Sequence, residues 1–345
     1  DVTERVRSAD AKGTKKAEIA AIELSAKAEG YAGAVVTLYQ GGRYHLYRYR
    51  RYRDVRLVFS FEEAIAQYGG DIDNYEFPRY GFDAAFFRVY DQGVPVVPKI
   101  HLAMRTSAPK SGECLFVAGH PGKTDRLTTF AAIRDIRDRA LPYRLASLAR
   151  LEISFGQYAG RSVEAMRRAN HEFQRVWNLR KRYRGQLARL QDPIFMAGVK
   201  TREDRIRAAV EADPELAKAI GDPWGEIEHA LAILAEIQSD YDLFEAMIGY
   251  GGHYDKPNPS RPLQSNWTKY LAIARTILRM SEEDQKPSGE RLTEFSDAHR
   301  ESLLAKLYSP TPIYDDLETW KLAEALGLVV ERLGELFAGD DAQGR

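Results

Sequence analysis

The feature that most constrains this chain is a change of residue pattern near position 135. Before it, short β-branched and aromatic runs are broken by glycine turns. After it, apolar residues recur every three or four positions over long stretches. Such a chain cannot form one uniform layer, because period-2 and period-3.6 patterns bury different faces. In the first part, Val35-Val36-Thr37-Leu38-Tyr39 reads as a strand turning at Gly41-Gly42 into Tyr44 to Tyr47. Val55 to Phe59, Asp83 to Tyr90, Val94 to Val97, Leu115 to Ala118 and Arg126 to Phe130 read as further strands. A helix over 15–28 precedes them. Ser60 with Glu63 forms a capping box predicting a short helix over 61–68, stopped by Gly69-Gly70. Frequent turns between short strands argue a barrel or sandwich rather than βαβ units.

In the second part, Leu145, Leu148, Leu151 and Phe155 form one helical stripe. Phe173, Val176, Leu179, Tyr183, Leu187 and Leu190 form another, which Asp192-Pro193 ends. Further helices are expected over 201–212, 224–248, 265–280, 290–307 and 315–337. The pattern therefore predicts an α+β chain with a β domain over 1–135 and a helical domain over 136–345.

Charge excludes some functions. Lys+Arg and Asp+Glu are both 50, so no global field steers the chain to nucleic acid or a membrane surface. No run approaches the roughly 18 apolar residues of a spanning helix. Locally, Arg43, Arg48, Arg50, Arg51 and Arg53 interleave with Tyr44, Tyr47, Tyr49 and Tyr52. Residues 134–190 add 14 Arg and Lys against 5 Asp and Glu. A nucleic-acid-binding module, or a helical array for protein interaction, is therefore the rival reading. The bland alternative is basic stems lying over tyrosines and a solvated helical face.

The densest site-like segment runs from Tyr68 to Tyr90. Asp71, Asp73 and Asn74 begin like a calcium loop. Tyr75 and Glu76 then stand where such a loop needs an oxygen ligand and a glycine, so no metal site is expected. Asp83 opens an apolar strand, where its carboxylate would be partly buried. It reads either as a turn cap, which pattern alone favours, or as the third member of a Ser-His-Asp triad. Cys114, in an apolar run, reads as a buried strand cysteine rather than a nucleophile.

The block Gly69-Gly70-Asp71-Ile72-Asp73-Asn74-Tyr75-Glu76-Phe77-Pro78-Arg79, followed by Asp83 to Tyr90, resembles the bacterial dipeptidyl-peptidases of the S46 type. Gly42 to Tyr49, Arg53 to Phe59, Leu115 to Gly122 and Ser309 to Tyr314 fit the same family in the same order. The resemblance implies part of a chymotrypsin-like β-barrel followed by a mostly α-helical domain that covers the cleft. It implies that Asp83 is the catalytic aspartate and that Asn74 and Tyr75 bind the free amino group of the substrate. Tyrosine replaces the family's tryptophan at 75. The implied substrates are oligopeptides with a free N-terminus. No cofactor, nucleic acid or membrane is expected, and a homodimer is suggested by analogy alone. The implied location is periplasmic or secreted.

The family's catalytic histidine and serine find no counterpart. Residues 1–30 hold no histidine, and no glycine-flanked serine turn occurs. His120 follows Asp83 in a segment that the family matches without using it as the base, so it reads as a turn or core residue. The chain is thus expected to be an internal piece, inactive alone. Acidic and hydrophobic preferences for the residue before the cleaved bond are both compatible with it.

Overall fold

The computed structural model describes residues 1–116, 128–244 and 268–342. Two compact units emerge: one of Asp1–Thr3 with Ile22–Arg126, the other of Glu4–Ala21 with Leu127–Arg345. The chain opens with helices α1 (Thr3–Asp10) and α2 (Lys15–Ala28). The first unit then holds strands β1 (Ala32–Leu38), β2 (Arg43–Tyr49) and β3 (Asp54–Ser60). Two single-turn helices, α3 (Glu63–Ala66) and α4 (Gly70–Asp73), lead to strands β4 (Ala85–Asp91) and β5 (Val94–Pro95).

All the pairing is antiparallel, in a two-stranded sheet β1-β2 and a three-stranded sheet β3-β4-β5. The first hairpin turns as the glycines require: Gly41 has φ +102°, where a Cβ is disfavoured. The C-terminal half of α2 lies against β1. Glu23 Oε1 accepts from the Val35 N–H at 2.9 Å, and a Cβ on Gly33 would stand 2.8 Å from Ala26 Cβ. Asp1–Thr3 is tied to β2 by the Val2 N–H donating to the Tyr44 carbonyl at 2.8 Å.

Several boundaries differ from expectation, each for a local reason. Ser60 is the last residue of β3 and pairs with Ala85, so it cannot cap a helix. Glu62 is the N-cap of α3, and its side chain makes no capping bond. Strand β4 begins at Ala85, two residues after Asp83. Leu115 and Phe116 are not in a strand, and Cys114 is exposed, which corrects the expected buried strand cysteine. Phe130 starts a helix rather than ending a strand, because Thr129 accepts from the Ala132 N–H as N-cap. The rest of the Leu115 to Gly122 segment, with His120, falls largely on 117–127, outside the described residues; so do His253 and positions 245–248 and 265–267 of two expected helices.

The second unit is helical: α5 (Phe130–Asp135), a π-helical turn (Ile136–Ala140), α6 (Leu141–Ala159), α7 (Val163–Gln191), α8 (Pro193–Glu211), α9 (Pro214–Ile220), α10 (Pro223–Phe244), α11 (Lys269–Glu283), α12 (Asp297–Leu307) and α13 (Asp315–Ala342). Asp192 ends α7 and caps α8, accepting from the Ile194 N–H at 2.9 Å, with Pro193 at the first helical position. Both predicted stripes face the core. Leu148, Leu151, Phe155 and Tyr158 of α6 pack with Ala165, Ala169, Phe173, Val176, Tyr183 and Leu190 of α7, joined by Leu317 of α13. That core also encloses charge. Lys321 Nζ lies 3.1 Å from Glu318 and 3.4 Å from Glu172, and all three residues are buried. Burial opposes ionisation of Glu172, but Arg175 and Lys321 hold its carboxyl below the usual glutamate range.

Candidate active site

The site residues expected from the motif all lie in the connection between β3 and β4. A bulge at Val58 shifts the register, so that Leu57 pairs with Phe87 while Phe59 pairs with Phe86. Bulges re-aim the side chains beside them. The rings of Phe59 and Phe61 meet edge-on at 4.9 Å. Phe61 in turn packs on Phe82 with ring centroids 4.2 Å apart. The Phe82 N–H donates to the Ile65 carbonyl at 3.1 Å, tethering the end of the loop to α3. Asp83 follows directly. Its side chain is exposed, which corrects the expected partial burial, and it makes no hydrogen bond or ion pair with a described residue. The physical reason is that Asp83 precedes the ladder rather than lying within it.

Asn74 closes α4, with its N–H bonded to the Asp71 carbonyl at 3.2 Å, and is half-buried. Its Oδ1 accepts from Arg79 Nη1 at 3.3 Å. Tyr75 has φ +62°, a left-handed conformation unusual for an aromatic residue, and the residue is 57% exposed. Strained backbone of this kind concentrates at functional sites. The loop thus presents a carboxylate, an amide and an aromatic wall. Arg79 and the Phe61–Phe82 anchor received no role from the sequence. The phenylalanines at 59, 61, 82 and 86 were the available signal, since only long-range packing unites them.

No group of three potential metal ligands occurs among the described residues, and no helix there is long and apolar enough to cross a membrane. Several residues in and beside the basic tracts are engaged internally. Arg56 lies over Tyr90 at 3.9 Å and grips Asp54 at 2.7 Å, Arg50 pairs with Asp91, and Arg48 with Glu29. Within 134–190, Arg134, Arg150 and Arg168 reach Glu228, Glu331 and Asp316 at 2.7–2.9 Å. Part of the local positive charge is thus met by carboxylates from distant sequence.

The Peptidase S46 family model matches residues 1–338, and the chain belongs to that family. It is 28% identical over 277 residues to an Asp/Glu-specific dipeptidyl-peptidase of Shewanella putrefaciens, covering 76% of this chain and 35% of the relative. It is 28% identical over 171 residues to dipeptidyl-peptidase 7 of Phocaeicola vulgatus, covering 42% and 24%. The chain therefore spans about a third or less of the length of these relatives. Among solved structures it is similar to Porphyromonas endodontalis DPP11 in complex with the dipeptide Arg-Asp, with TM-score 0.56 and 18% identity over 92% of this chain and 54% of that one. That likeness shows the shared fold.

Proposed function

We propose that the chain is the portion of a dipeptidyl-peptidase that supplies the triad aspartate and the amine-binding loop. The observation that carries this is the placement of Asp83: one residue beyond an anchored phenylalanine, two before a registered strand, on the loop that also bears Asn74. In the intact enzyme a serine attacks the second peptide bond of a substrate with a free N-terminus, and a histidine takes its proton. Asp83 accepts from the histidine Nδ1–H, fixing the tautomer and stabilising the imidazolium. Backbone amides stabilise the oxyanion. Asn74 hydrogen-bonds the substrate ammonium, and Tyr75 walls that subsite, so that cleavage falls two residues in. The histidine and serine come from parts of the protein outside these 345 residues, which makes this stretch inactive alone. The reaction needs no cofactor. The proposed setting is the bacterial periplasm or the exterior.

The exposed apolar sheet supports a larger parent: Val55, Leu57, Phe86 and Phe87 are each about half exposed or more, which a complete barrel would not leave open. The test is Asp83→Asn in the intact protein, assayed on dipeptidyl substrates with acidic and with hydrophobic second residues. Turnover falls about 10⁴-fold with the fold intact, the size of loss seen when a triad aspartate is so changed. Turnover near wild type sinks the assignment and moves attention to Asp71 and Asp73.

A further inference from the structure

An aspartate that orients a histidine must be held to within about 0.5 Å, and this precision comes from the residues behind it. Asp83 has no hydrogen bond of its own to a described residue, so its placement is inherited from the backbone on either side. We infer that Gly81, Phe61 and Phe82 are positioning residues for Asp83, with helix α3 as their backstop; this rests on the reading of Asp83 as the triad aspartate. On the C-terminal side, Ala85 is registered opposite Ser60, which sets where the strand begins. On the N-terminal side there are three contacts. The Phe82 N–H donates to the Ile65 carbonyl at 3.1 Å, the Phe82 ring packs tilted against Phe61 at 4.2 Å, and Gly81 passes directly over the end of α3. A Cβ on Gly81 would stand 2.7 Å from the Ala66 carbonyl oxygen, closer than real Cβ contacts allow. The obstructing atom is backbone, so it cannot swing away as a side chain tip can. Any side chain at 81 therefore lifts the loop off α3 and carries Asp83 with it, two residues downstream.

Phe61 and Phe82 are 21 positions apart in sequence and meet only because α3 and α4 fold the connection back on itself. Their contact closes the loop beneath Asp83. The glycine sets how near the loop comes, and the ring pair sets its rotation. Neither touches substrate in this reading; both act through the carboxylate.

A double-mutant cycle on the intact enzyme tests this. Gly81→Ala lowers kcat roughly ten- to a hundredfold, the scale on which displacements of about 1 Å act, and leaves KM within about twofold. Placed on Asp83→Asn, the same substitution changes kcat no further, because residues acting as one unit are non-additive. The thermal midpoint falls equally in both backgrounds, since packing does not depend on the carboxylate. A full second loss of kcat on Asp83→Asn, or wild-type kcat for Gly81→Ala, overturns the positioning role while the triad assignment stands. Wild-type kcat for Asp83→Asn overturns both. Where Gly81→Ala yields no folded protein, Phe82→Leu goes through the same cycle with the same outcomes, because it keeps the bulk and loses the ring contact.

Discussion

At the scale of single residues, the loop shows why a motif states chemistry without stating geometry. Asn74 offers an amide, but an amide binds an ammonium only through its oxygen. Arg79 settles which way the amide faces by donating to Oδ1 at 3.3 Å, and an amide oxygen with two lone pairs can accept from more than one donor. Arg79→Ala lets the amide turn, and we expect KM for substrates with a free N-terminus to rise about three- to tenfold, the worth of one modest hydrogen bond. kcat changes less, and Arg79→Lys restores part of the loss. Steady-state kinetics on the intact enzyme checks this, and an unchanged KM would place Arg79 outside the amine subsite. Tyr75 adds a second lesson: no residue pattern announces its φ of +62°, because that is imposed by the turn closing α4.

At the scale of elements, the α6–α7 hairpin and α13 were legible from periodicity, because a helix that buries one face must repeat its apolar residues at that spacing. The buried triad Glu172–Lys321–Glu318 was legible only in part: Glu318 and Lys321 are three apart on α13, but Glu172 comes from α7 and no local pattern links it to them. Lys321→Met takes a shared cation from two buried carboxylates, and we expect the helical unit to lose about 3 kcal/mol, read as a lower denaturation midpoint. The acid side follows from Glu172. Its folded-state carboxyl titrates lower than the unfolded one, so its ionised form stabilises the fold above the ordinary glutamate value of 4.5. That contribution is lost as pH falls from there through the depressed folded-state value. Glu172→Gln therefore flattens the decline of stability below pH 4.5, and denaturant titrations across that window measure it. An equally steep decline in the variant would assign the acid sensitivity to other carboxylates.

At the scale of the molecule, the open three-stranded sheet matters most. Leu57 and Phe87 face each other across β3 and β4 and are 58% and 62% exposed. Exposed apolar area of this kind is a liability in a chain standing alone and an interface in a longer one. We expect the 345-residue chain, expressed by itself, to show no peptidase turnover and to bind a hydrophobic dye. Leu57→Thr with Phe87→Thr would reduce that binding, while in the intact enzyme the same pair would lower stability. Turnover by the isolated chain would show that it carries a complete site.

The arginine-rich stretches show what local composition leaves out. Residues 134–190 look like a cationic surface, yet Arg134, Arg150 and Arg168 meet Glu228, Glu331 and Asp316 from far along the chain. Net charge was readable from the sequence, whereas charge pairing depends on which helices become neighbours. The amino-acid sequence alone determined the α+β class, the two helical stripes and the block that carries Asn74 and Asp83, because periodicity and motif spacing are local properties. Tertiary structure alone decided that Ser60 pairs rather than caps, that Cys114 and Asp83 are exposed, and that Phe61 reaches Phe82. Each of these depends on a partner 20 or more residues away, or on the lack of one, and no local pattern encodes that.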